Sequence, residues 1–254
     1  MTVSAKKTPL FCSASETYDQ YADVQHRVGA QLIAKLPQIE ATQILDLGCG
    51  TGQCTRYLER KFPEAKIVAN DISYNMIEYA KQHHRHPNIN YMVSDITKTT
   101  LIGLEDLVFS NSALQWVSDL DTLFAKWSLQ KNKKTVMAFS LFGPRTFYQL
   151  QQSLEEVFKK KVELSAATFH TIEQLKAYTT MYFNHVSIEQ EHITKRFSTI
   201  KELLKSIKYT GTKGGPVPDL CWTPQKLEKL NTWFIKNYGV VQVTYHIFYI
   251  IVKD

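Results

Sequence analysis

The sequence predicts an α/β protein built on a doubly wound, mostly parallel β-sheet. Short apolar segments alternate with amphipathic helical segments along residues 43–141, which is typical of a parallel sheet covered by helices on both faces. A glycine-rich turn follows the first apolar segment, as expected where a strand of such a sheet leads into a helix. With 254 residues and a hydrophobic fraction of 44%, we expect one domain over residues 1–254.

The first predicted element is a helix over residues 13–36, where Tyr18, Tyr21 and Leu32 belong to a pattern with three- and four-residue steps. Strands and helices then alternate as far as Pro144. The predicted strands cover residues 43–47, 66–70, 89–94, 106–110 and 135–141, and the predicted helices cover residues 55–61, 75–83 and 120–129. Ser73 is placed to cap the second of these helices.

The alternation changes after Pro144. Predicted helices cover residues 147–162, 171–182, 199–209 and 224–238, and predicted strands cover residues 186–197 and 241–252. We expect residues 144–222 to interrupt the late part of the sheet and to form a helical lid within the single domain.

The glycine-rich turn is the most informative motif. Gly48, Gly50 and Gly52 alternate with other residues, and this spacing differs from the G-x-G-x-x-G of dinucleotide sites and from the lysine-bearing P-loop. Glycines allow a tight turn and let a ligand lie against bare main chain. Asp46 precedes the turn, where a carboxylate would repel a pyrophosphate and suit a cationic ligand.

Polar residues close four of the predicted strands. Asp46, Asp71, Asp95 and Asn111 each stand at or just after the end of an apolar segment. Because ligands of open parallel sheets bind beyond the carboxyl ends of the strands, these side chains should converge on one crevice. Asp71 lies about 20 residues past the turn, where an acidic residue can accept the hydroxyls of a ribose.

This combination resembles motif I of the class I S-adenosylmethionine (SAM) methyltransferases. The resemblance implies SAM as cofactor, with Asp46 near the methionyl ammonium and Asp95 near the adenine amino group, although the position of Asp71 alone would also suit NAD. The implied cofactor-binding residues are Asp46, Gly48, Gly50, Asp71, Ile72, Met76, Asp95, Ile96 and Asn111.

Later segments are similar to a narrower group, the malonyl-acyl carrier protein O-methyltransferases of biotin synthesis. Residues 111–116, with the sequence NSALQW, resemble the N-x-A-x-Q-W segment of that group. Further matching segments are the N-terminal helix around Phe11, Tyr18 and Gln25, and residues 140–150, 203–211 and 243–248. The group implies a Rossmann-like fold with a helical N-terminal extension and an antiparallel last strand.

The resemblance also implies a reaction. The group methylates the free carboxylate of a malonyl thioester, so that the neutralised chain can pass as a fatty acyl primer in the first step of pimeloyl assembly. A malonyl carboxylate is already ionised near neutral pH, so we expect no residue to be required as a general base. The candidates for orienting the substrate are Tyr18, Gln115, Trp116, Arg145, Tyr245 and His246.

The net charge of +6 favours an acidic partner. Lys201, Lys205 and Lys208 form one stripe of a predicted amphipathic helix and are candidates for docking an acidic acyl carrier protein. The charge alone does not separate a carrier protein from phosphates, although aromatic-interleaved basic runs typical of RNA binding are sparse. The alternatives are a SAM-dependent methyltransferase acting on another small acid or on RNA, and a non-catalytic SAM-binding subunit. Oligomeric state is open.

Several classes of protein are disfavoured. No apolar run approaches the roughly 20 residues that span a membrane, and residues 1–9 lack the apolar segment of a signal peptide. The four cysteines show no CxxC spacing, which favours a reduced cytoplasmic protein with Cys49 and Cys54 as packing residues. No spacing typical of metal ligands is present, so we expect no metal.

Overall fold

The structure is a computed structural model, and it describes residues 15–210 and 220–254. The predicted absence of a signal peptide in residues 1–9, and the family match at Phe11 and Gly211, lie outside the described residues.

A seven-stranded sheet forms the centre of the protein. Its strands are β1 (Gln43–Leu47), β2 (Lys66–Asp71), β3 (Ile89–Val93), β4 (Leu107–Asn111), β5 (Val136–Phe142), β6 (His185–Phe197) and β7 (Val241–Lys253). The strand order is β3-β2-β1-β4-β5-β7-β6. Strands β1 to β5 are parallel, and β7 is antiparallel to both β5 and β6. The predicted fold class is therefore confirmed, including the antiparallel last strand.

Nine α-helices are assigned within the described residues. They are α1 (Ser15–Tyr21), α2 (Asp23–Ala34), α3 (Gln53–Lys61), α4 (Tyr74–His83), α5 (Leu120–Gln130), α6 (Tyr148–Phe158), α7 (Ile172–Tyr182), α8 (Ile200–Tyr209) and α9 (Pro224–Tyr238). The Ser73 cap of α4 is confirmed, because its hydroxyl accepts a hydrogen bond from the Met76 N–H. Gly239 ends α9 in the left-handed conformation.

Two helix predictions were wrong. The single helix expected over residues 13–36 is two helices that meet at Ala22, where φ is −89° and ψ is 23°. The apolar pattern continues across Ala22, so the sequence carries no sign of the break. The helix expected over residues 147–162 ends at Phe158, because Lys159 takes a positive φ of 53° and turns the chain away.

Side chains of the sheet alternate between two apolar layers, as the two-residue period of a strand requires. On one face, Ile44 and Phe109 pack in a core that includes Leu32 of α2. On the other face, Val108 and Phe139 pack in a core with α5. The helices cover both faces of the sheet, and the residues at the carboxyl ends of β1, β2 and β4 line a cleft.

The range 144–222 contributes more than a lid. It contains β6, which pairs with β7 along its whole length from His185 to Phe197, and it contains the buried face of α6. The division of this range into a fixed part and a moving lid stays a prediction. Among the described helices, none has both the length and the apolar character needed to cross a membrane.

Helix α2 is attached to the sheet by close packing and by charges. Gly29 lies where an added Cβ would be 2.3 Å from the Cys54 Sγ and 3.0 Å from the Asn111 Nδ2. Along the same helix, Arg27 pairs with Glu191 at 3.0 Å and Lys35 pairs with Glu189 at 2.7 Å. Because α2 leads from α1 to β1, this attachment fixes the position of the N-terminal helices over the carboxyl edge of the sheet.

We predict that Gly29→Ala lowers the stability of the protein. Alanine should stabilise the helix by about 1 kcal/mol relative to glycine, but the clash with Cys54 and Asn111 should cost about 1–3 kcal/mol, as overpacking does, and outweigh that gain. Ala30→Gly at the neighbouring exposed position is the control, since it changes propensity without the clash. Urea unfolding of both variants measures the two effects, and a Gly29→Ala protein more stable than wild type would contradict this packing.

Candidate active site

The glycine turn joins β1 to α3 and forms the floor of a cleft. Gly48 has a φ of +70° and Gly50 has a φ of +56°, a region that side chains disfavour. A Cβ on Gly48 would lie 2.4 Å from the Cβ of Ala113, whereas a Cβ on Gly50 would meet nothing within 4 Å. Gly48 therefore permits close approach of the chain after β4, and Gly50 leaves bare main chain facing the cleft.

Asp71, at the end of β2, holds this turn. Its Oδ2 accepts a hydrogen bond from the Gly50 N–H at 3.0 Å, and its Oδ1 accepts one from the Ser73 N–H at 2.8 Å. Burial raises the pKa of Asp71, and these hydrogen bonds oppose that shift. The carboxylate is thus fixed between the glycine turn and the start of α4, with lone pairs remaining for a ligand.

Asp46 is the most buried carboxylate of the cleft, with an exposed fraction of 1%. Its Oδ2 accepts a hydrogen bond of 2.6 Å from the Thr55 hydroxyl. Burial raises the pKa of Asp46 to about 7, the Thr55 hydrogen bond opposes the shift, and the nearby Asp71 adds to it. Two carboxyl groups in a desolvated cleft make it a favourable place for a cation.

The cleft has an empty volume of about 1160 Å³, counted with its open mouth. All nine residues predicted to bind the cofactor line it, namely Asp46, Gly48, Gly50, Asp71, Ile72, Met76, Asp95, Ile96 and Asn111. The arrangement follows from the parallel strands, which deliver their last residues to one edge. The lining contains both acidic groups and apolar side chains, which suits a ligand with both polar and apolar parts.

Asp95 and Asn111 differ in how they are held. Asp95 accepts hydrogen bonds at Oδ1 from the main-chain N–H and the hydroxyl of Thr97. The side chain of Asn111 donates to the carbonyl of Gln25 at 3.0 Å and accepts from the Ser140 hydroxyl at 2.7 Å. Asn111 therefore ties α2 to the sheet besides lining the cleft.

Of the residues predicted to orient the substrate, the structure brings Tyr18 and Trp116 into the cleft. Burial raises the pKa of Tyr18 above its usual range, so its hydroxyl stays protonated at neutral pH. Trp116 packs edge-on against Phe169, with ring centroids 5.2 Å apart. The ring of Trp116 thus joins the cleft to the segment that follows α6.

The structure does not bring Gln115, Arg145, Tyr245 or His246 to the lining of this cleft. Gln115 is buried behind it, Arg145 is exposed near the ring of Tyr148, and the Tyr245 ring packs in the core. His246 stacks on His192 with centroids 4.6 Å apart, and burial lowers its pKa to about 4.

The sequence did not predict three residues that line the cleft or lie beside it, namely Asp19, His26 and Thr51. Asp19 of α1 accepts a hydrogen bond from the Thr51 hydroxyl at 2.7 Å and lies 3.2 Å from the Nε2 of His26. Burial opposes a low pKa for Asp19, but the hydrogen bonds from His26 and Thr51 outweigh it and lower the pKa. These contacts close α1 over the glycine turn, and residues 32 positions apart in sequence give no local signal of them.

The three lysines predicted for carrier docking, Lys201, Lys205 and Lys208, are exposed on α8. The opposite face of this helix is buried, as the amphipathic pattern predicted. Lys205 lies over the ring of Tyr21 with its Nζ 5.7 Å from the centroid, and Tyr21 stacks on Tyr209 at 5.1 Å. Helix α8 is therefore in direct contact with α1, which covers the cleft.

Comparisons with known proteins agree on the kind of domain. A family model described as a methyltransferase domain matches residues 44–129. A malonyl-[acyl-carrier protein] O-methyltransferase from Acetivibrio thermocellus is 31% identical, with 94% of this chain and 90% of that protein covered. One from Bacillus cytotoxicus is 29% identical, with 93% of this chain and 87% of that protein covered.

A solved structure with a similar fold is phosphoethanolamine N-methyltransferase 2 of Haemonchus contortus, in complex with phosphomonomethylethanolamine and S-adenosylhomocysteine. The TM-score is 0.52 at 16% identity, with 93% of this chain covered. This chain spans about half of that one, of which 53% is covered. At this identity the likeness concerns the fold.

We predict that Asp46→Asn stabilises the ligand-free protein at alkaline pH. The folded-state pKa of about 7 lies above the ordinary value of 3.8, so ionisation of Asp46 is disfavoured in the folded protein. The protonated Asp46 carboxyl therefore contributes fully to the stability of the wild-type protein below about pH 4. As the pH rises to 7 the wild-type protein loses this contribution, by up to about 3–4 kcal/mol. The advantage of Asp46→Asn over wild type should therefore grow from pH 5 to pH 8, as measured by urea unfolding.

Asp106→Asn is the control of opposite sign. Hydrogen bonds from Thr42 and Gln43 outweigh burial and lower the pKa of Asp106. This variant should therefore lose stability relative to wild type as the pH rises through the acidic range. An Asp46→Asn advantage that is independent of pH would contradict the desolvation of Asp46.

Proposed function

This chain belongs to the malonyl-[acyl-carrier protein] O-methyltransferase family, and on this basis we propose that it transfers a methyl group from SAM to the free carboxylate of a malonyl thioester carried by an acyl carrier protein. This methylation would be the first step of pimeloyl chain assembly in biotin biosynthesis. The observation that carries the proposal is the cleft in which the glycine turn, the carboxylates of Asp46 and Asp71, Tyr18 and Trp116 come together.

The residues of the cleft fit SAM. Bare main chain at Gly50 leaves room against the turn, and the oriented carboxylate of Asp71 is suited to the ribose hydroxyls. Asp46 is desolvated and gains from a positive charge, which suits the ammonium of the methionyl end, directly or through water. Ile72, Met76 and Ile96 supply apolar surface beside Asp95 for the adenine.

When bound, SAM supplies an electrophilic methyl group on a sulfonium. The chain is required to align the acceptor carboxylate with this methyl group and to exclude water, and alignment alone can contribute about 7–11 kcal/mol. The acceptor is ionised at neutral pH, so no side chain has to remove a proton. Tyr18, which remains protonated, can donate a hydrogen bond to a carboxylate oxygen but is unsuited to act as a base.

The acceptor side of the cleft lies between Tyr18 of α1 and Trp116 of the loop after β4. Arg145, expected to hold the carboxylate, is exposed and does not line the cleft, so a role for it would require movement of the segment after β5. We propose that residues within 144–222 move as a lid when the acyl arm enters, with Phe169 against Trp116 as one contact of that lid.

A direct assay tests this function. Methyl transfer from labelled SAM is measured side by side on malonyl-acyl carrier protein, malonyl-coenzyme A, another small dicarboxylate and RNA. We expect transfer to the malonyl thioesters, with turnover at saturation nearly independent of pH between about 6 and 8. Transfer to RNA alone, or SAM binding without transfer to any acceptor, would contradict the proposal in favour of the alternatives.

Docking of an acidic carrier protein is predicted to involve α8. Six basic and two acidic residues occur between positions 191 and 213, and Lys201, Lys205 and Lys208 are exposed. Docking charges act mainly on the rate of encounter and are screened by salt. Replacing the three lysines by Glu should therefore raise KM for malonyl-acyl carrier protein, most strongly at low salt, while turnover at saturation and activity on malonyl-coenzyme A change less.

The matched control replaces Lys133, Lys134 and Lys253 by Glu. These lysines are exposed near the amino ends of the parallel strands, at the end of the sheet opposite to the cleft. The change in net charge is the same in both triple variants. Equal increases of KM in both triple variants would indicate a general charge effect instead of docking on α8. A normal KM in the α8 variant at low salt would likewise contradict the docking role.

A further inference from the structure

Ser112 has an unusual main-chain conformation at the edge of the cleft. Its φ is +55°, in the left-handed region, which a non-glycine residue occupies roughly five- to thirtyfold less readily than the ordinary regions. Ser112 follows the last residue of β4 and lines the cleft. Such a conformation persists only where the surrounding structure fixes it.

Three hydrogen bonds hold the main chain of Ser112. Its N–H donates to both the carbonyl and the hydroxyl oxygens of Ser140, each at 3.0 Å. Its carbonyl accepts a hydrogen bond of 2.7 Å from the Nε2 of Gln115. The Ser140 contacts continue the pairing of β4 with β5, so the Gln115 contact is the one that acts beyond the sheet.

Gln115 makes this contact at a cost. The side chain is buried, with an exposed fraction of 6%, and its Oε1 has no hydrogen-bond partner among the described residues. A buried unpaired amide oxygen is unfavourable, and an apolar side chain of similar size would avoid it. Packing alone therefore does not explain a glutamine here.

The conformation of Ser112 decides where the next residues lie. Ala113 packs closely on Gly48, because a Cβ added to Gly48 would lie 2.4 Å from the Cβ of Ala113. The Trp116 N–H donates to the Ala113 carbonyl at 3.1 Å, within the 3₁₀ turn Leu114–Trp116. The path of the chain at Ser112 thus sets both the wall against the glycine turn and the position of the Trp116 ring in the cleft.

We propose that Gln115 is a positioning residue that keeps Ser112 in the left-handed conformation and thereby shapes the cleft wall against the cofactor and the methyl acceptor. Gln115 does not line the cleft and acts through the Ser112 carbonyl. The inference rests on the proposed function where it concerns methyl transfer, whereas its effect on cofactor binding requires only that SAM binds in this cleft.

The experiment compares Gln115→Met, Ser112→Gly and the double variant with wild type. Methionine keeps the size of the side chain and removes both the donor and the unpaired oxygen, so Tm should be unchanged or higher. Calorimetry should show SAM affinity about five- to thirtyfold weaker in Gln115→Met. With malonyl-acyl carrier protein as substrate, the fold decrease in kcat should exceed the fold increase in KM. In the double variant, glycine removes the cost of positive φ, and most of the affinity should return.

Gln149→Met is the matched control. Gln149 is a buried glutamine that bonds Thr244 outside the cleft, so its replacement should lower Tm and leave SAM affinity unchanged. Unchanged SAM affinity in Gln115→Met would overturn the inference, as would a loss that Ser112→Gly does not reverse, because the effect would then not pass through Ser112.

A second arm keeps Gln115 in place, in case Gln115→Met fails to fold. Valine resists a positive φ whereas glycine adopts it freely, so SAM affinity should be weaker in Ser112→Val than in Ser112→Gly. Equal affinities in these two variants would contradict the inference. SAM binding is measured without any acceptor, so a wild-type protein that binds SAM but leaves malonyl thioesters unmethylated would contradict the proposed function alone.

Discussion

The left-handed main chain of the glycine turn after β1 is the constraint on which the site depends. Gly48 lets the chain after β4 approach within contact distance, and Gly50 leaves the main chain open toward the cleft. Asp71 accepts the Gly50 N–H, so the turn and the end of β2 are fixed with respect to each other. A side chain at either glycine would disfavour this conformation, and a side chain at Gly48 would in addition clash with Ala113.

The N-terminal helices complete the cleft from the other side. The break at Ala22 lets α1 lie over the turn, where Asp19 accepts the Thr51 hydroxyl, while α2 packs along the sheet. Gly29 permits the close contact of α2 with α3, and ion pairs with β6 hold the same helix at its outer side. The covering of the cleft is therefore built from residues far apart in sequence, including those of the late strand β6.

The electrostatics of the cleft follow from burial. Burial raises the pKa of both Asp46 and Asp71, and the charge of Asp71 further disfavours ionisation of Asp46. A cationic ligand would relieve this unfavourable arrangement, which gives binding free energy without a further polar contact. The same desolvation keeps Tyr18 protonated. The cleft is thus better suited to positioning charged reactants than to proton transfer, in agreement with an acceptor that is ionised before it binds.

The sequence by itself determined the parallel sheet, the order of its strands and helices along the chain, and nine residues that come together in the lining of one cleft. These depend on local signals, namely period-two strands, amphipathic helices, glycine spacing and the carboxyl ends of strands, which parallel topology brings together. Only the tertiary structure decided the break at Ala22, the Asp19–Thr51 contact, the exposure of Arg145 and the burial of Gln115 behind Ser112. These depend on contacts between distant segments and on the main-chain conformation of single residues, and neither has a periodicity that a sequence can display.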